Sequence, residues 1–210
     1  MNSDELKQYA QENGERFWND AGTHWLNDKF DLRAYEKVIE VGGYLGDWTD
    51  YIQGKYECFV DTYEPVREYW ERMITRFSNR SKITVHNYAV EAFDGEAHIA
   101  VMDDGSSMFD GGVSSGPVVR VVDIDRIVVE MYRVSLLALN CEGAEYNILD
   151  RLLFTGNIWR VDELLVQFHT FVPDAFERRD AIRKKLAKTH SEVMAYPFCW
   201  ELWRIHGPGT

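Results

Sequence analysis

The sequence lacks any uninterrupted apolar stretch long enough to cross a bilayer, so nothing in it reads as a membrane span. It lacks an excess of positive charge. The 23 basic residues are outnumbered by 35 acidic ones, a net charge of -12, which argues against nucleic acid or an anionic membrane as the main partner. It has few cysteines. Cys58, Cys141 and Cys199 are an odd number at wide spacing, which fits neither a zinc motif nor a disulfide framework. Cys58 and Cys141 sit in apolar runs and read as buried free thiols in a reducing compartment, so a cytoplasmic protein is expected. The polar, acidic start Met1-Asn2-Ser3-Asp4-Glu5 is not a secretory signal. Internal repeats, low-complexity tracts and interior linkers are also missing. What remains is an ordinary globular composition, 45% hydrophobic over 210 residues, sufficient for one large domain with a full core.

The chain is organised around residues 38–48, VIEVGGYLGDW. Val38, Ile39 and Val41 are β-branched and read as a buried strand. Gly42, Gly43 and Gly46 then permit a sharp turn and a close approach to a ligand. A helix is expected to open at Asp47, its free N–H groups aimed at that ligand. Residues 58–64 read as a second strand ending in an acid and closed by Pro65. An apolar stripe of Val66, Tyr69, Trp70, Met73, Ile74 and Phe77 predicts a helix, and a third strand is expected over 83–90. The order β-α-β-α-β implies a parallel sheet with helices on its faces.

Elsewhere the pattern differs. Residues 4–28 have helical spacing broken by Gly14 and Gly22, so two shorter helices are possible, forming a cap over 1–35 that would cover one end of a core spanning 36–206. Residues 95–125 read as a small inserted hairpin with a mobile loop around Asp104, Gly105, Ser106 and Ser107, and a short helix begins at Asp123. Strands follow at 134–141 and 163–169, with a helix after residue 144 between them. The charged segment 174–189 reads as a helix with a solvated face, and 192–196 with 201–205 as a closing antiparallel pair. The expected fold is α/β, a mostly parallel seven-stranded sheet with helices on both faces, in a single domain.

Ligands of such a sheet bind at the C-terminal strand ends. There the sequence places Glu40, Glu64, Asn87, Asn140 with Glu142, and His169. Glu64 lies 18 residues beyond Gly46, which sets a carboxylate where it can accept from both hydroxyls of a ribose. Either a nicotinamide cofactor or S-adenosylmethionine would suit. Glu40 separates them, because a carboxylate beside the turn repels pyrophosphate and favours the ammonium of a methionine group. The spacing Glu40-x-Gly42-x-x-x-Gly46 is not the dinucleotide fingerprint, and the absence of Gly-Lys-Ser/Thr excludes a P-loop.

These residues resemble the FkbM-type S-adenosylmethionine-dependent methyltransferases over roughly 36–170. The turn at 38–46 is similar to the family's first motif, and Tyr63-Glu64-Pro65 to its acid-proline strand end. Asn87-Tyr88-Ala89-Val90, Asp94-Gly95-Glu96-Ala97 and Val122-Asp123-Ile124-Asp125 resemble later segments. The most specific match is Leu139-Asn140-Cys141-Glu142-Gly143-Ala144-Glu145, and Val166-Gln167-Phe168-His169 resembles the histidine-ended fifth strand. The resemblance implies a class I, Rossmann-like fold and methyl transfer to an oxygen, commonly a hydroxyl of a sugar or natural product. It implies a cofactor site of Glu40, Gly42, Gly43, Tyr44, Leu45, Gly46, Trp48, Glu64, Pro65, Asn87 and Asn140. The family usually has aspartate at Asn140 and glutamate at Gln167. Both departures remove negative charge near the transfer point, so a divalent metal is not favoured, though not excluded. His169 is then the expected base, with Asn140 and Glu142 holding the acceptor hydroxyl.

Seven Trp and eleven Tyr suit a sugar or glycan acceptor, such as a deoxysugar like rhamnose, and the chain is compatible with one domain of a longer glycan-building polypeptide. The alternatives are a methyltransferase for a small natural product such as a polyketide, a non-catalytic S-adenosylmethionine-binding domain and, more distantly, a nicotinamide oxidoreductase.

Overall fold

The computed structural model describes residues 1–20, 28–100 and 116–206. Residues 21–27 of the expected N-terminal cap, most of the loop around Asp104 and the last four residues lie outside the described residues. The β-branched runs become strands as their pattern demands. In β1 (Lys37–Val41), Val38 packs into one apolar layer and Ile39 and Val41 into the opposite one. Then follow α2 (Asp47–Tyr56), β2 (Phe59–Tyr63), α3 (Arg67–Arg76) and β3 (Ile83–His86). After an insertion come α4 (Ile124–Met131), β7 (Val134–Leu139), α5 (Glu145–Thr155), β8 (Val161–Val166), α6 (Ala175–Leu186), β9 (His190–Tyr196) and β10 (Trp200–Ile205).

The seven-stranded sheet has the order β3-β2-β1-β7-β8-β10-β9. β3 through β8 are parallel, and β10 runs antiparallel to both neighbours. The order reverses between β1 and β7, so a crevice opens at their C-terminal ends. One face is covered by α4, α5 and α6, whose Val128, Leu149 and Ile182 join Ile39 and Leu137. The other is covered by α2 and the C-terminal half of α1 (Ser3–Asp20), through Ile52 and Phe17 against Val38, Leu136 and Leu202.

Four readings change. The third strand is not continuous over 83–90. The Asn87 amide donates to the carbonyls of Glu64 (2.9 Å) and Pro65 (3.0 Å), which turns the chain out of the sheet. β4 (Ala89–Glu91) then pairs parallel with β6 (Val118–Asp123), and β5 (Gly95–His98) pairs antiparallel with β6. The insertion is therefore a three-stranded sheet rather than a simple hairpin. The described N-terminal helix runs unbroken through Gly14, where nothing would meet a Cβ and only helix propensity is lost. It lies along the edge strand β9, with Phe17 against Tyr196 at 5.4 Å, and among the described residues none of its side chains reaches the crevice. The charged helix α6 is solvated on only part of its surface. Arg179 is 6% exposed because it meets Glu201, which β10 carries into the interior; Arg183 joins the same carboxylate. Among the described residues no helix is long and apolar enough to cross a membrane.

Candidate functional site

The turn after β1 is built by three positive φ angles: Gly42 at 93°, Tyr44 at 48° and Gly46 at 82°. The N–H groups of Gly42 and Gly43 both donate to the Tyr63 carbonyl, at 3.0 and 3.2 Å. The glycines are demanded by the protein itself more than by a ligand. A Cβ on Gly42 would overlap the Asn140 carbonyl oxygen, one on Gly43 would overlap the Thr62 hydroxyl, and one on Gly46 would lie 2.6 Å from the Phe77 ring. The close approach expected of these glycines is thus an approach to the ends of β7 and β2 and to α3, and it draws Asn140 against the turn.

Above the turn lies a crevice of two lobes. The first, about 740 Å³ of open space, has Glu64, Pro65, Tyr63, Tyr69, Tyr88 and Glu142 in its walls. The second, about 600 Å³, has Glu40, Gly43, Leu45, Trp48, Leu165 and Trp200. Val41, Gly42, Tyr44 and Asn140 line both and mark the junction, where Asn140 is exposed.

Each lobe holds one buried carboxylate. Glu64 is 5% exposed; its two oxygens accept from the backbone N–H of Tyr44 and of Val66, both at 2.8 Å. Burial pushes its pKa up to about 7 against those two bonds. Glu40 accepts from the Thr49 hydroxyl, and burial likewise raises it to about 7. A carboxylate held in this way is costly to keep ionised unless a ligand supplies donors, which marks both as site candidates. In the second lobe's wall, Trp48 Nε1 is buried and has no partner among the described residues.

Beside the junction, β7 ends in a second strained turn, with Glu142 at φ 49° and Gly143 at 102°. His169, just past β8, sits between two carboxylates. Its Nε2 is 3.1 Å from Glu142 Oε1 and its Nδ1 is 3.1 Å from Glu145 Oε1. Burial alone would lower the imidazole's pKa, but the two carboxylates outweigh it and raise the value to about 9. The half-exposed Phe171 ring stands 5.4 Å from the imidazole.

Most of the expected site residues therefore meet. Glu40, Gly42, Gly43, Tyr44, Leu45, Trp48, Glu64, Pro65, Asn140 and Glu142 all line the crevice. Gly46 and Asn87 do not: Gly46 packs on Phe77, and Asn87 braces the Glu64–Pro65 turn from behind. His169 reaches the crevice only through Glu142. Sequence reasoning gave no site role to Tyr63, Tyr88, Trp200 or Glu145, and it placed Tyr69 in an apolar helix stripe packed on the sheet, whereas Tyr69 stands in the wall of the first lobe. Tyr63 and Tyr88 adjoin strand ends already singled out, and Glu145 follows Glu142 by three positions. Trp200 has no local signal, because only the antiparallel pairing of β10 with β8 brings it to the crevice. Among the described residues no group of three or more His, Cys, Asp or Glu side chains is placed to hold a metal ion.

No family model and no curated protein matches the sequence. Among solved structures the chain is similar to a candidate rRNA methylase from Clostridium thermocellum, with 8% identity over 85% of this chain and 90% of that one and a TM-score of 0.51. The fibrillarin pre-rRNA processing protein of Methanococcus jannaschii shares 10% identity over 84% of this chain and 69% of its own, with a TM-score of 0.49. A candidate methyltransferase from Streptococcus mutans, solved in complex with SAH, shares 7% over 83% and 91%, with a TM-score of 0.46.

Proposed function

We propose that this chain, whose fold is the Rossmann-like methyltransferase fold, is an S-adenosylmethionine-dependent O-methyltransferase of the FkbM type, acting on a hydroxyl of a sugar or glycan. The observation that carries this reading is the crevice itself. One buried carboxylate stands in each lobe, the lobes join at Asn140, and a His–Glu pair lies beside the junction.

These residues fit the cofactor. In the first lobe the Glu64 oxygens retain lone pairs for ribose hydroxyls beyond the two backbone bonds, and Tyr63, Tyr69 and Tyr88 offer an aromatic wall for a base. In the second lobe Glu40 favours an ammonium group. A pyrophosphate across the same two carboxylates would be repelled, which disfavours a dinucleotide. When bound, S-adenosylmethionine supplies a methyl group activated on a sulfonium. The chain's own part is positional and acid–base. Asn140, at the junction, orients the acceptor hydroxyl. Glu142 holds that hydroxyl and relays its proton to His169 Nε2, leaving an imidazolium between Glu142 and Glu145. Tyr44 and Phe171, both exposed, offer faces for a sugar ring. The net charge of -12 argues against a nucleic-acid acceptor.

The first test is calorimetric titration with S-adenosylmethionine, with NAD in parallel, followed by transfer assays on sugar acceptors. Binding of S-adenosylmethionine alone is the expected result; binding of neither would remove the reading. Glu64→Ala should weaken cofactor binding more than about tenfold, roughly 1.4 kcal/mol. Unchanged affinity in the same titration would displace Glu64 from the ribose.

The acid–base role sets a pH profile. His169 accepts a proton only when Nε2 is free, and with the imidazole raised to about 9 only about one molecule in a hundred is in that state at pH 7. Turnover at saturating acceptor should therefore climb about tenfold per pH unit above pH 7 and level off near the imidazole's pKa. A fall in turnover above that pH would instead make Glu142 the base, with the imidazolium as its electrostatic partner.

A further inference from the structure

We infer that Glu145 is a positioning residue: a single buried carboxylate that fixes which nitrogen of His169 receives the proton and holds the turn that presents Glu142. The inference rests on the proton-accepting role proposed for His169. Glu145 opens α5, and its side chain is 0% exposed. Such a group stays in the interior only if its oxygens are satisfied, and here three N–H groups satisfy them. Oε1 accepts from the His169 backbone N–H at 2.9 Å and faces Nδ1 at 3.1 Å. Oε2 accepts from the Gly143 N–H at 2.9 Å.

The first pair of contacts sets the tautomer. Both ring nitrogens face a carboxylate, which only accepts, so a neutral ring must give up one of the two hydrogens. Glu145 is 0% exposed and has no water to turn to, whereas Glu142 is 18% exposed at the crevice, so Nδ1 keeps its hydrogen and Nε2 gives its own up. When the ring is neutral, the lone pair is then on Nε2, the nitrogen that faces Glu142 and the crevice. The third contact acts on the other partner. Glu142 and Gly143 are consecutive left-handed residues, a conformation a glutamate adopts only when its surroundings impose it. The Gly143–Glu145 bond ties that turn to the first residue of a helix whose Ile148, Leu149 and Leu152 are fully buried, so the turn is anchored to the core. The groups facing His169 are Glu142 from the turn, Glu145 and the Tyr146 hydroxyl from α5, and Phe171 from its own loop; Tyr146 donates to the His169 carbonyl at 2.9 Å. Of these, among the described residues, only Glu145 ties the ring to the turn from outside the turn itself.

The direct test is nitrogen NMR of the intact, ¹⁵N-histidine-labelled protein, titrated through the His169 transition. A neutral ring with hydrogen on Nδ1 is expected; hydrogen on Nε2, or an even mixture, would overturn the assignment. Kinetics of Glu145→Gln give the second test, because the amide sets a donor against Nδ1–H or against the Gly143 N–H. The turnover plateau should move to lower pH by about one unit or more and fall more than about tenfold in height, while cofactor affinity stays within about twofold. A variant with lowered melting temperature but the original pH profile would show a merely structural role and refute the inference. Should Glu145→Gln not fold, the tautomer of the unmodified protein decides. That measurement needs no methyl transfer, so a failed cofactor titration and a failed tautomer assignment cannot be confused.

Discussion

Gly42→Ala should destabilise the protein by about 3–5 kcal/mol, a large share of the roughly 5–15 kcal/mol that holds a domain folded. Two independent causes add. The residue sits at φ 93°, where a Cβ strains the backbone by about 1–2 kcal/mol. The new methyl would also overlap the Asn140 carbonyl oxygen, a backbone atom fixed by the pairing of β1 with β7, so neither side can yield without breaking the ladder. Gly156 provides the control. It has a similar φ of 79°, but nothing lies within 4 Å of its Cβ position, so Gly156→Ala should cost only about 1 kcal/mol. Urea unfolding of both variants checks this. Equal losses would mean that β7 shifts to accommodate the methyl, and that the turn is less tightly held than its contacts imply.

The second large effect concerns turnover. His169→Asn places an amide near the Nδ1 position, able to donate to Glu145, but removes Nε2 altogether. Turnover should fall by about 10²–10⁴, the usual worth of a positioned base. Cofactor affinity should stay within about twofold, because His169 lines neither lobe of the crevice. Calorimetry with S-adenosylmethionine and single-turnover transfer on the same preparation separate the two quantities. Full turnover with intact binding would take His169 out of the mechanism. Asparagine is chosen over alanine because a truncated side chain would leave the buried Glu145 carboxylate without its ring partner, and a stability loss would then obscure the kinetic result.

Much of this site can be read locally. The run of β-branched residues into Gly42, and the strand ends at Glu64 and His169, carry their position in their own neighbours, since strand alternation and turn chemistry act over a few residues. Glu40 and Glu64 were legible for the same reason: an acid where a buried strand ends is conspicuous in an apolar run. The third strand was misread because residues 83–90 keep a strand pattern throughout, while the event that splits them is long-range. The Asn87 amide reaches carbonyls more than twenty positions earlier and diverts the chain into a second sheet. Arg179 was misread for a similar reason, because a basic helix face looks solvated until Glu201 is carried beneath it by a strand formed later in the chain.

The sequence by itself determined the order of elements, the parallel sheet and the acidic strand ends, because each is written in periodicities of two or about four residues and in the backbone freedom of glycine. The tertiary structure alone decided that the turn glycines make room for Asn140, Thr62 and Phe77, that Trp200 closes the second lobe, and that His169 lies between Glu142 and Glu145. Each of these is a contact between segments far apart in the chain or on separate strands. Its geometry comes from register and crossover, which fix distances that no local pattern encodes. The same contacts set the chemistry, since burial and the paired carboxylates move Glu40, Glu64 and His169 from their ordinary titration ranges.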